Sequence, residues 1–261
     1  VFSVQLADLD GDGVLEVVAN RYHPHPSILM TAFVLTTKGG KPAVLVEDVG
    51  EILLAVDVDG VGLKKTLWLQ PFSQQGFFKK GEALRASIRN GKLVTEGRVR
   101  VPSAFRATGA AFASIGGKDR RALAFVDEFS RLQIAVDTED LWRSSAPVGG
   151  GGVKLEVLTQ NERGGRSYLY SSEPHPLAVD LDGDGIEELV VPQNQLPGRL
   201  AVVYKGPAGY RFQTVNTGFE GTVTGLGAIP GDGATLVLAV VRYQNLFNTV
   251  GETQIIVTTG E

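Results

Sequence analysis

Two stretches of the chain read almost alike. One runs Leu6-Ala7-Asp8-Leu9-Asp10-Gly11-Asp12-Gly13-Val14-Leu15-Glu16-Val17-Val18. The other runs Ala178-Val179-Asp180-Leu181-Asp182-Gly183-Asp184-Gly185-Ile186-Glu187-Glu188-Leu189-Val190. Counted from Asp8 and from Asp180, carboxylates stand at positions 1, 3, 5 and 9 of a short loop. The glycine at position 6 allows a sharp bend that a Cβ would obstruct. Apolar residues flank each loop, so each joins two strands. A third copy, Ala55-Val56-Asp57-Val58-Asp59-Gly60-Val61-Gly62-Leu63-Lys64-Lys65-Thr66-Leu67, keeps both glycines and two of the aspartates.

Working outward, two fainter copies survive as strand-turn-strand outlines. They are Ala110 to Phe125, with Gly116-Gly117 at the turn, and Val223 to Val241, with Pro230-Gly231-Asp232-Gly233. The spacing of all five is roughly that of a four-stranded propeller blade, about 40–50 residues. The expectation is an all-β chain: a β-propeller of four-stranded blades, about five of them, forming a single domain over 1–261. Its units start near 1, 51, 105, 176 and 221. The last unit is incomplete, with strand-like segments only at 221–229, 234–242 and 253–259. A protruding loop and hairpin over 137–172 interrupts the pattern. It contains Trp142, the run Gly149-Gly150-Gly151-Gly152 and the turn Asn161-Glu162-Arg163-Gly164-Gly165.

Composition narrows the function classes. Hydrophobic residues make up 43% of the chain, enough for a buried core and too many for a disordered one. The formal charge of −4 argues against nonspecific nucleic-acid binding. The absence of cysteine excludes disulfides, thiolate metal sites and cysteine nucleophiles. No apolar run is long enough to span a bilayer as a helix. Val1-Phe2-Ser3-Val4 already reads as strand, so the chain is expected to be a piece of a larger protein. The missing strand of the last unit would then come from upstream of Val1 or from another chain.

The loop spacing has a chemical reading. A hard cation such as Ca²⁺ takes six to eight oxygen ligands. The first loop offers Asp8, Asp10, Asp12, the carbonyl of Val14, and Glu16. The second offers Asp180, Asp182, Asp184, the carbonyl of Ile186, and Glu188. Glu187 at position 8 points away. Aspartate and glycine favour turns in any protein, but turn preference does not demand carboxylates in the same four places twice. Four carboxylates in one small loop repel one another, and a cation relieves that repulsion. Two Ca²⁺ ions are therefore expected. These are not EF-hands, because position 12 is Ala19 or Val191 and the flanks are strands. The third loop carries Val61 and Lys65 at positions 5 and 9. It is expected to bind no calcium, with the Lys65 ammonium beside Asp57 and Asp59 instead.

With these residues in place, the chain resembles the VCBS/FG-GAP repeat family, best known from integrin α-subunit propellers. The resemblance is specific at Asp8–Val18 and Asp180–Val191, where Glu16 and Glu188 replace the family's usual final aspartate. It implies calcium ions that rigidify blades. It also implies a binding or scaffold role for a protein or glycan partner, in a secreted or cell-envelope setting, bacterial in origin. The alternative is a polysaccharide-active hydrolase or lyase. That would need Asp137, Glu139 or Asp140, beside Trp142, to converge with arginines such as Arg21, Arg106 and Arg242. No Gly-x-Ser-x-Gly elbow, P-loop or His-Glu-x-x-His motif is present. His25 and His175 stand between prolines and His23 precedes one, so all three read as extended loop residues; a transition-metal pair at His23 and His25 is the alternative.

Overall fold

A computed structural model describes residues 1–25, 28–71, 79, 81–118, 120–150, 154–159, 166–195, 197–215, 218–230, 235–243 and 251–259. The side chains of 23–25, 28, 29, 154–159, 166–170, 230 and 259 lie outside the description. Among the described residues every regular element is a strand, and strands adjacent in sequence pair antiparallel within each sheet. Five meander sheets are the blades of a β-propeller.

Blade 1 is β1 (Ser3–Ala7), β2 (Glu16–His25), β3 (Ile28–Thr36) and β4 (Ala43–Val49). Blade 2 is β5 (Glu51–Val56), β6 (Thr66–Pro71), β7 (Ala83–Arg89) and β8 (Lys92–Val99). Blade 3 is β9 (Ala110–Ala113), β10 (Ala122–Val126), β11 (Leu132–Val136) and β12 (Glu139–Arg143). A separate hairpin follows, β13 (Lys154–Thr159) with β14 (Arg166–Ser171). Blade 4 is β15 (Leu177–Val179), β16 (Glu188–Gln193), β17 (Arg199–Gly206) and β18 (Gly209–Thr214). Blade 5 has three strands, β19 (Thr222–Pro230), β20 (Thr235–Tyr243) and β21 (Glu252–Thr259). The chain forms two compact units. One is Val1–Thr108 with Val153–Ser172, the other Gly109–Gly152 with Glu173–Glu261.

β5, β6, β10 and β16 are apolar without alternation because both of their faces are covered. Within the first unit, Leu53, Ala55, Leu67 and Leu69 of blade 2 pack on Ala7, Val18, Ala32 and Val34 of blade 1. The alternate residues Ile52, Leu54 and Trp68 are also buried, and Trp68 meets Phe105 edge-on at 6.3 Å. Within the second unit, Leu189 and Val191 face blade 3 beside Ile134 and Ala124. Val190, between them, faces blade 5 beside Val223 and Ala239. Each such side chain contributes about 1.5–3 kcal/mol through burial. The outer strand β18 is covered less and alternates between exposed and half-buried positions.

Stacked blades create a hydrogen-bonding problem. β5 and β19 each pair on one edge only within their sheets, and Leu53, Ala55 and Val223 on them are buried. Side-chain amides of the preceding blade solve it. The Asn20 carboxamide accepts from the Leu53 N–H at 2.9 Å and donates to the Leu53 carbonyl at 2.9 Å. Gln5 treats Ala55 the same way, at 3.0 and 3.2 Å. Gln70 does the same for the segment that leads into β9, accepting from the Ala107 N–H at 2.7 Å and donating to the Phe105 carbonyl at 3.1 Å. Asn194 bonds both backbone groups of Val223, at 2.7 and 2.8 Å. A carboxamide presents one donor and one acceptor side by side, as a neighbouring strand would.

Several expectations are corrected here. Unit three was expected to start as strand near 105, but β9 begins at Ala110. Residues 105–107 give their backbone groups to Gln70 instead of to a ladder. Residues 139–143, assigned to the protrusion, are the outer strand β12. A turn at Asp137, with φ of 52°, folds them back on β11. His23-Pro24-His25 lies in β2 rather than in a loop. The His23 and His25 side chains, the turn residues 161–165, Gly151, Gly152 and the turn residues 231–233 lie outside the described residues.

Replacing Asn20 by Ala removes both partners of Leu53 while leaving its N–H and C=O buried. Each orphaned group costs about 1–3 kcal/mol. Urea unfolding of Asn20→Ala should show a loss of about 2–4 kcal/mol, with a similar loss for Gln70→Ala. Losses below about 0.5 kcal/mol, the range of ordinary surface substitutions, would contradict this role.

Candidate metal centre

The aspartate loops join the first two strands of blades 1 and 4, and they share four matched hydrogen bonds. In both, the position-1 carboxylate accepts the N–H of position 4: Asp8 from Gly11, and Asp180 from Gly183, each at 2.8 Å. Asp10 accepts from Asp12 N–H at 3.2 Å, and Asp182 from Asp184 N–H at 3.1 Å. Asp12 accepts from Val14 N–H at 2.8 Å, and Asp184 from Ile186 N–H at 2.7 Å. Glu16 and Glu188 reach back across the loop to accept the N–H of Leu9 and Leu181, both at 2.8 Å. Two turns with positive φ make this curl. They fall at Gly11 and Gly13 (77° and 84°) and at Gly183 and Gly185 (80° and 82°).

The carboxylates converge in both loops, though by different members. In the first, Asp8, Asp10 and Glu16 each offer an oxygen within 4.8 Å of the others; in the second, Asp180, Asp182 and Asp184 do so. Calcium–oxygen bonds of 2.3–2.6 Å set ligand oxygens up to about 5 Å apart, so either trio fits around one ion. In the first trio Asp8 and Glu16 are buried, 3% and 2% exposed, while Asp10 is exposed. Asp12 is drawn off by Lys38, whose ammonium lies 2.5 Å from one Asp12 oxygen and 3.9 Å from Asp10. The hydrogen bond to Lys38 holds the Asp12 carboxyl below the usual carboxylate range, helped by the Val14 N–H, and raises Lys38 in turn. In the second loop Asp180 gives its other oxygen to the Gly185 N–H at 2.8 Å. Glu188 stands outside the trio but within its field. Burial pushes its carboxyl up; the charges of Asp182, Asp180 and Asp184 add to this, against the Leu181 N–H. The carbonyl-bearing residues Val14 and Ile186 follow directly after the curl in each loop.

The third loop has the same glycine pair, Gly60 and Gly62, at φ of 71° and 79°. Here Asp57 alone organises the curl, accepting N–H groups from Gly60, Val61 and Gly62 at 2.8, 3.1 and 2.9 Å. The expected role of Lys65 does not hold. Its side chain is exposed, whereas the half-buried Lys64 is the lysine that feels the Asp57 charge. Burial lowers the Lys64 ammonium and Asp57 opposes that.

Position 8 carries a function that spacing alone did not reveal. The Lys64 carbonyl accepts the Asp8 N–H at 2.9 Å, tying the third loop to the first. Glu187 does point away from its own loop, and its target is blade 3. It accepts from Ser114 N–H at 2.7 Å and from Arg121 at 2.8 Å, while its N–H donates to the Ser114 hydroxyl. Thr235 of blade 5 donates to the Asp180 carbonyl at 3.1 Å. The loops are thus joints between blades as well as gatherings of carboxylate.

The remaining candidates are placed individually. Glu139 and Asp140 are exposed on the outer strand β12, with Asp137 at the turn before it. Trp142 tilts against Tyr210 at 5.9 Å and joins the apolar core of blades 3 and 4. Arg21 pairs with Asp48, bonds Thr31 at 2.8 Å and lies over the Phe33 ring. Arg106 is half-buried and Arg242 is exposed on β20. His175 places Nδ1 3.0 Å from the Ala110 carbonyl, a structural contact between β9 and the segment entering β15. Among the described residues no helix is long and apolar enough to cross a membrane.

No family model matches the chain, and no curated protein matches it. Among solved structures, matches include two crystal structures of BBS1N in complex with ARL6DN. With the one soaked with mercury, the chain shares 12% identity at a TM-score of 0.36, covering 92% of this chain and 90% of that one. With the one soaked with lead, it shares 13% identity at 0.39, covering 100% and 94%.

The raised Glu188 carboxyl has a measurable consequence in metal-stripped protein. Its folded-state pKa lies above its unfolded value of 4.5. The stability it contributes is complete below that value and is lost as pH rises through the folded-state pKa. Urea unfolding across this window should show the parent losing stability relative to Glu188→Gln. A difference that stays flat or moves the other way would show that Glu188 is not buried among like charges.

Proposed function

We propose that the protein is a calcium-stabilised β-propeller of the FG-GAP/VCBS kind, serving as a binding or scaffold module for a protein or glycan partner in a secreted or cell-envelope setting. One observation carries the calcium reading. Two loops far apart in sequence share four matched hydrogen bonds and the same pair of left-handed glycines, and each gathers three carboxylates within 4.8 Å. Asp8, Asp10 and Glu16, with Asp12 and the Val14 carbonyl, would hold one ion. Asp180, Asp182 and Asp184, with Glu188 and the Ile186 carbonyl, would hold the other. Because Asp8 and Asp180 also bond to the next blade, an ion that rigidifies the loop rigidifies the joint. The scaffold reading follows from chemistry placed at joints rather than at one cleft.

Calorimetric titration of metal-stripped protein should give two calcium ions per chain and a higher melting temperature. At a calcium concentration 100 times Kd, each site adds about 2.7 kcal/mol. Asp8→Asn with Asp10→Asn should remove one ion, and Asp180→Asn with Asp182→Asn the other, each leaving its neighbour intact. No heat and no melting shift would overturn the proposal. A glycan array and capture from envelope fractions, with and without calcium, then tests the partner class.

A further inference from the structure

We propose, resting on the binding-module reading above, that the outer hairpin β7–β8 of blade 2 is a docking rim for a linear acidic polysaccharide, one that bears carboxylates or sulfates along its length. Residues 85–100 carry five cations, Arg85, Arg89, Lys92, Arg98 and Arg100, against one carboxylate, Glu96. That is a net +4 in a chain of formal charge −4, so the remainder carries −8. All five cations are exposed. Arg85 and Arg89 share Glu96, at 3.6 and 3.1 Å. Among the described residues no carboxylate lies within ion-pair distance of Lys92, Arg98 or Arg100. Guarding the edge of a sheet asks for charge but not for one sign; β12 carries both, in Glu139, Asp140 and Arg143.

The hairpin holds these charges in fixed places. Asn90 and Gly91, with φ of 52° and 70°, make the tight turn that sets Arg89 directly opposite Lys92. At Glu96 β8 takes one extra residue, so that Ala86 faces Thr95 and Arg85 faces Gly97. The bulge reverses the alternation: Arg98 shares a face with Leu84, while Arg89 and Lys92 share the other. Cations therefore flank the outer strand on both sides. From Lys92 to Arg100 they run about 26 Å, at the rise of an extended strand. A row of that length fits a repeating polyanion better than a single phosphate.

The neighbouring residues narrow the kind of polyanion. Protein partners anchor on aromatic or large apolar side chains, and Val94, 36% exposed, is the one exposed large apolar residue of the hairpin. Residues 85–100 include no aromatic, so unpaired bases have no platform to stack on. Duplex DNA carries a charge every 1.7 Å or about that, and the −8 of the remainder repels it. An acidic polysaccharide spreads its charge more thinly and needs no apolar anchor. Four of the five cations are arginines, whose planar forks take anionic oxygens in pairs.

Binding of the full chain to immobilised heparin and polygalacturonate, with dextran as the neutral control, tests this over a salt series at constant calcium. The parent should bind one or both acidic polymers, more weakly as salt rises, and ignore dextran. Heparin alone would assign sulfate, polygalacturonate alone carboxylate. Arg89→Ser with Lys92→Ser, and Arg98→Ser with Arg100→Ser, should each weaken binding about tenfold and flatten its salt dependence, with the melting temperature kept. Arg199→Ser with Arg211→Ser removes the same charge from exposed positions of blade 4 and should leave binding unchanged. Thr95→Glu, at an exposed position of β8, sets an opposing charge in the row; it should weaken binding too, and decides the matter if a serine pair does not fold. A parent that binds neither acidic polymer, or a blade 4 control as weak as the serine pairs, would overturn the proposal. So would tighter binding of oligo(dT) or poly-glutamate, or binding that survives the serine pairs and is lost with calcium. The calcium shift in melting, read on the same samples, reports the aspartate loops separately: a shift without polysaccharide binding sinks the rim alone.

Discussion

Burying the free edge of a strand is the constraint on which this architecture rests. Blade stacking covers both faces of each inner strand, which is favourable for Leu53, Val190 and their neighbours. The same stacking cuts one row of backbone groups off from water. Hydrophobic burial would be offset at once if those groups stayed unpaired. Asn20, Gln5, Gln70 and Asn194 remove the conflict by placing a peptide-like amide opposite each row. The blades are thus fixed in register by directional bonds as well as pressed together by apolar contact.

The aspartate loops apply the same economy to a different problem. A loop that turns back within a few residues has several N–H groups pointing inward, and carboxylates satisfy them. Having gathered three acids for this purpose, the loop also has the field of a cation site. In the third loop only Asp57 remains at the centre, and it still organises the curl alone. Curling therefore needs only one carboxylate and two glycines, and the further carboxylates of the other two loops are not required for it.

Most of the fold was legible in the sequence because its two signals are local. Continuous apolar runs marked inner strands, and the Asp-Gly loops marked where they turn. The order and number of strands in blades 1, 2, 4 and 5 follow from these alone. The misreadings arose where polarity misled. Glu139-Asp140-Leu141-Trp142-Arg143 looks like a solvated loop, yet an outer strand is free to be charged, since it covers no core on its outer face. Lys64 and Lys65 are adjacent residues of one type in the loop before β6, and nothing in the sequence tells them apart. The amide clamps left a trace that could have been read: a lone Asn or Gln closing an apolar run, as in Val17-Val18-Ala19-Asn20 and Leu67-Trp68-Leu69-Gln70. The bond from Glu187 to Ser114 and Arg121 spans 73 and 66 residues and had no such trace.

The hairpin of β13 and β14 gives the chain an unusual itinerary. It belongs to the same compact unit as Val1–Thr108, yet it is written after all of blade 3. During synthesis the ribosome must therefore deliver the first part of one unit, then a blade of the other, before the first unit receives its last piece. Neither unit is a contiguous text. The earlier one must wait, partly built, while some forty residues of its neighbour emerge, about 2–8 s at ordinary elongation rates. Blades whose contacts are sequence-local can form during that wait, because a four-stranded meander needs only its own hairpins to begin. The interruption is tolerable because the propeller is assembled from parts that are each locally legible to the chain.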